Sequence, residues 1–74
     1  MSLPKFRVGD VVSWLSETGK IAGKVIDVHE MPFRLNSHRH NATQDDPHYE
    51  IACLKTGRVA YRKAKGLILE RAAA

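Results

Sequence analysis

The stretch HYEIACLKTGRVAYRK, residues 48–63, sets two alternating runs on either side of Lys55-Thr56-Gly57, which is the pattern of a β-hairpin. Gly57 supplies the positive φ that a three-residue turn needs. In the first run Tyr49, Ile51 and Cys53 alternate with His48, Glu50 and Ala52; in the second, Val59 and Tyr61 alternate with Arg58, Ala60 and Arg62. A period of two sends the first set of each run toward a core and the second set outward. The chain has 74 residues and a single cysteine, so no intramolecular disulfide can form and one hydrophobic core must hold the hairpin in place.

Partners for that hairpin lie upstream. Gly9-Asp10 is a turn signal, and Val11 to Leu15 is rich in β-branched and aromatic residues, which predicts a first strand. Its alternation puts Val12 and Trp14 on the core face, with Val8 beneath, and Val11, Ser13 and Leu15 on the other. After the polar loop Ser16–Gly19, the run KIAGKVIDVHE predicts a second strand through Ile21, Val25, Ile26 and Val28. Gly23 inside it predicts a bulge or bend. Residues 31–47 carry two prolines and no sustained period, so they are expected to form a long loop. The segment AKGLILER has room for a helical turn and a closing strand through Leu67, Ile68 and Leu69. Five short strands with turn signals between them predict an all-β, five-stranded antiparallel barrel. The domain is expected to span residues 5–71, with 1–4 and 72–74 as disordered or appended ends.

No apolar run reaches the roughly 20 residues that span a bilayer, and the first ten residues lack the apolar stretch of a signal peptide, so a cytoplasmic location without a membrane partner is expected. The net charge of +4 favours acidic partners. Most of the excess lies in one segment, where Lys55, Arg58, Arg62, Lys63, Lys65 and Arg71 face Glu70 alone.

Four quoted segments carry a resemblance: FRVGDVVSW, GKVIDVHE, DDPHYEIACLKTG and VAYRKAKGLILE, in that order and spacing. Together they are similar to the small bacterial and fungal domains called hypervirulence-associated Tudor domains, over Phe6 to Glu70. The resemblance implies an SH3-like, Tudor-type barrel and no particular chemistry. A weaker one is to the type II dihydrofolate reductases, short SH3-like barrels whose site uses a Val-Gln-Ile-Tyr strand. Here the matching residues are Val59-Ala60-Tyr61, which lack the glutamine.

An interaction module without enzymatic activity is the functional expectation. Cys53 alternates with core residues, where a thiol is inert, and Asp45-Asp46-Pro47 has the composition of a turn. His38-Arg39-His40, with His29 and His48, offers imidazoles without the spacing of a zinc motif, so neither a metal nor a cofactor is expected. A Tudor-type aromatic cage would draw on Trp14, Phe33, Tyr49 and Tyr61, but three of these alternate in phase with aliphatic residues and read as core. The expected ligand-binding residues are Arg58, Arg62 and Lys63, with His48 beside them and Arg34 and Arg39 on the loop, disposed to meet the phosphates of a nucleic acid. The alternative partner is a protein or a second copy, docking on edge strands and covering Val11, Leu15 and Ile21.

Overall fold

A computed structural model describes residues 5–73; Met1–Pro4 and Ala74, assigned to the ends above, lie outside the described residues. The Gly9-Asp10 turn explains how the sheet starts. Gly9 takes φ +97°, a conformation that costs glycine little. Its N–H donates to the Val25 carbonyl at 2.8 Å, and the Asp10 carbonyl accepts from Val25 N–H at 2.8 Å. The buried Asp10 carboxylate accepts from Arg7 N–H at 2.9 Å and from Ala73 N–H at 2.7 Å. One side chain thus ties the first turn to the last residues of the chain, and Ala73 is held against the domain.

Those two N–H donors, Arg7 first and then Ala73, hold the Asp10 carboxyl below its ordinary value. A depressed folded pKa means that the bonds stabilise the fold fully above the unfolded value of about 3.9 and are lost as pH falls through the folded value. Acid titration of Asp10→Asn, followed by circular dichroism, should therefore show a weaker loss of stability below pH ~4 than the parent chain, starting from a lower stability at neutral pH.

Four strands follow as an antiparallel meander, β1 (Val11–Ser16), β2 (Gly19–His29), β5 (His48–Cys53) and β6 (Val59–Lys63); β7 (Ile68–Arg71) returns to pair with β1. The sheet order is β6-β5-β2-β1-β7. Among the described residues there is no helix, and none is long and apolar enough to cross a membrane. The all-β, SH3-like expectation holds. The helical turn expected before the last strand is a single tight turn, closed by Leu67 N–H on the Ala64 carbonyl at 3.0 Å.

Phe6, Val12, Trp14, Val25, Tyr49, Ile51 and Leu67 form the core. Phe6 meets Tyr49 edge to face with ring centroids 5.3 Å apart, and it fills the place expected for Val8, which is exposed. Val11 is buried rather than outward, and Ile21 packs against the core. Ser13, on the face opposite Trp14, is also buried, because its hydroxyl donates to Glu70 where β7 covers β1.

Two expectations about β2 and the loop need correction. The bulge is not at Gly23: the register with β5 slips between Val25 and Asp27, so Ile26 is the extra residue. Gly23 pairs with Val12 on one side and Cys53 on the other, where a Cβ would stand 2.5 Å from Ile51 Cγ2. It is a point of close approach between strands. Residues 31–47 are not structureless either, since β3 (Phe33–Leu35) and β4 (His38–His40) form a second hairpin. Asn36 and Ser37 turn it with φ of 51° and 68°, the paired positive values of a two-residue type I′ connection.

Candidate functional site

Strand β6 inverts the expected direction of its side chains. Ala60 stands opposite core residue Ile51 and packs against the core, whereas Tyr61 stands opposite Glu50 on the outer face. Arg58 and Arg62 share the face of Ala60, as the alternation required, but that face is the concave one. Because β6 is a sheet edge, the concave side beside it is open. The Arg62 guanidinium lies over the Trp14 ring, 5.1 Å from its centroid. That distance is within the range of a cation–π contact.

Two clefts meet at this pair. One, of about 650 Å³, runs past Lys20, Lys55, Arg58 and Arg62; the other, of about 400 Å³, continues past Lys20, Arg62 and Lys65 to Gly66. Trp14 lines both, and among the described residues no carboxylate lines either. Glu70 pairs with Lys20 at 2.9 Å and so moderates the charge at one point of the wall. The indole N–H of Trp14 is buried and has no hydrogen-bond partner among the described residues. Cys53, expected in the core, is half-buried and lines the larger cleft. Its thiol is pulled below the ordinary range, chiefly by a hydrogen bond with the Thr56 side chain and then by backbone groups of Thr56 and Lys55.

The other expected site residues go elsewhere. Lys63 has the outer phase of β6 and pairs with Asp46 at 3.2 Å. Arg34 and Arg39 are exposed and stand opposite each other across the β3–β4 hairpin, with Arg39 Nε donating to Asn41 Oδ1 at 3.1 Å. His48 was expected outward and is only 7% exposed. Alternation does place it on the outer face, but the second hairpin covers that face: Phe33 and His40 contact the His48 ring at centroid distances of 5.7 and 5.5 Å. Burial first, and then the nearby positive charge of Lys63, lowers its pKa and favours the neutral imidazole. The six residues therefore do not form one site. Arg58 and Arg62 share a cleft, and Lys20, Lys65 and Trp14 join them from other elements.

Rings collect on the outer face instead. Phe33 stacks between His29 and His40 at centroid distances of 4.3 and 4.9 Å, with Tyr61 tilted against it at 5.6 Å. Trp14 and Tyr49, the other rings considered for a cage, belong to the core. The H-x-H pair is separated in role, with His38 exposed and His40 in the stack. Among the described residues, the donors close enough together to share a metal ion are Asp27, His29 and Glu50.

The sequence profile of the Tudor domain of hypervirulence associated proteins matches residues 9–67, the greater part of the chain and four of the five strands of the main sheet. The chain belongs to this family. The match runs from the Gly9 turn through β6 to Leu67, taking in Trp14, Arg58, Arg62 and the bulged strand. Membership makes this Tudor domain a small binding module. No curated protein and no solved structure gives a match.

Proposed function

We propose that this Tudor domain is a non-catalytic module that binds a single-stranded nucleic acid along the paired clefts beside β6. The observation that carries the reading is the lining: Lys20, Lys55, Arg58, Arg62 and Lys65 converge there around a tryptophan, with Glu70 beside Lys20 as the one carboxylate paired to them among the described residues. A groove walled by cations tracks a phosphate backbone, and association releases the counterions condensed on it. Arg62, exposed and placed over the Trp14 ring, presents the planar guanidinium that suits phosphate contact. The clefts lie beside an open sheet edge and, among the described residues, their lining gathers no paired acid and base. That favours binding over chemistry.

Fluorescence anisotropy with a labelled oligonucleotide across a salt series tests the reading. For single strands log K falls with log salt at about −0.7 per phosphate contact, so Arg58→Ala with Arg62→Ala should flatten the slope by about 1.4 and weaken binding. Lys63→Ala should leave both unchanged, since that side chain faces away from the clefts. Binding that is indifferent to the double arginine variant, or that is lost with Arg34→Ala and Arg39→Ala instead, would rule the clefts out.

A further inference from the structure

The outer face of the β2–β5 ladder carries a donor set separate from the basic clefts, and the bulge at Ile26 creates it. Val25 and Val28 both pack inward, three residues apart, which an unbroken strand cannot do. The extra residue shifts the phase, so that Asp27 and His29 face outward where Val25 would otherwise have put Asp27 in the core. Bulges re-aim side chains in this way and are over-represented beside functional sites. Directly across the ladder from Asp27 stands Glu50. The D-x-H of one strand and the glutamate of its neighbour thus meet on one surface.

We propose that Asp27, His29 and Glu50 bind a divalent transition-metal ion of the zinc class. His29 Nε2 is 3.0 Å from Glu50 Oε1 and 3.9 Å from Asp27 Oδ2, and one donor atom from each of the three residues lies within 4.8 Å of the others. Donors about 2.1 Å from a tetrahedral zinc ion lie about 3.4 Å from one another, so the two separations from His29, 3.0 and 3.9 Å, bracket what the ion requires. Two carboxylates balance its charge, and water completes the coordination. The imidazole nitrogen selects against calcium and magnesium, which take oxygen ligands in greater number. The ligands are also held: Phe33 stacks on the His29 ring at 4.3 Å, and Tyr61, paired with Glu50 across the ladder, lies with its ring 5.9 Å from that of His29. Supporting contacts of this kind orient metal ligands and sharpen affinity. The Glu50 carboxylate and His29 share a hydrogen bond, which a bound ion would replace.

Calorimetric titration of the chelator-stripped chain with Zn²⁺, alongside Co²⁺ absorption spectra, tests the site. One ion per chain is expected. Because even supporting residues cost roughly tenfold or more in metal affinity, Glu50→Gln and Asp27→Asn should each weaken binding by at least about tenfold, while His38→Gln leaves it intact. Asp27 is exposed, so its variant keeps the test valid if Glu50→Gln fails to fold. The absence of stoichiometric Zn²⁺ binding would overturn the proposal. So would binding that survives Asp27→Asn and Glu50→Gln but disappears with His38→Gln or His40→Gln.

Discussion

Gly23→Ala is expected to unfold at clearly lower urea concentration than the parent chain, by the equivalent of about 1–3 kcal/mol, the usual range for inserting a methyl group into a packed interior. Gly23→Val should lose more. The cost is steric and not conformational: an added Cβ would stand 2.5 Å from Ile51 Cγ2 and 2.8 Å from the Ala52 carbonyl oxygen. The isoleucine tip could move alone, but the carbonyl belongs to the β5 backbone. Relief therefore means separating two strands that Gly23 pairs on both sides. For a domain of this size each kcal/mol shifts the melting midpoint by about 4–8 °C, so the alanine variant should melt on the order of 10 °C lower. Trp14, the single tryptophan, reports the transition from the core. An unchanged midpoint would mean that β2 and β5 can part at this position without cost.

Tyr49 carries the second large effect. It is fully buried, packs edge to face with Phe6, and its hydroxyl oxygen accepts from the N–H groups of Lys5 and Phe6 at 3.0 and 3.4 Å. Tyr49→Ala removes the ring and should cost about 3–5 kcal/mol, as for other buried aromatic residues. Against the few kcal/mol that hold a small domain together, that loss leaves a largely unfolded chain. Tyr49→Phe keeps the ring and removes the acceptor, leaving the buried Phe6 N–H without a partner at about 1–3 kcal/mol. Denaturant titrations should therefore rank the parent above the phenylalanine variant and that above the alanine variant. Equal stability of parent and Tyr49→Phe would show that the N-terminal segment is not anchored through the hydroxyl.

Tyr49, like Val12 and Trp14, was legible as a core position from alternation alone, and the Gly57 turn from its residue type, whereas Gly23 read as a bulge or bend and is a point of close approach instead. The other misreadings share one physical origin: a period of two says which side chains share a face but not what lies over that face. His48 takes the outer phase and is buried because the β3–β4 hairpin folds onto it. Arg58 and Arg62 share a face as expected, and that face is the concave one because it is fixed by the pairing of Ala60 with Ile51. The Asn36-Ser37 turn carried a local signal, since asparagine tolerates positive φ, but two strands of three residues each are too short for periodicity to show. Lys65 lay in the basic segment that the charge count marked, but Lys20 gave no signal as a site residue, because its nearness to Arg62 depends on how distant strands meet at the sheet edge.

The strands of the main sheet with their tight turns, the all-β class and a core of Val12, Trp14, Tyr49 and Ile51 are local matters, legible before any fold is known. Each of these rests on backbone preference and side-chain alternation over a few neighbouring residues. Only the tertiary structure decided the position of the bulge and the direction of the basic residues. It also brought Asp27, His29 and Glu50 together. Those depend on register between strands, and a one-residue shift there moves a side chain from one face of a sheet to the other.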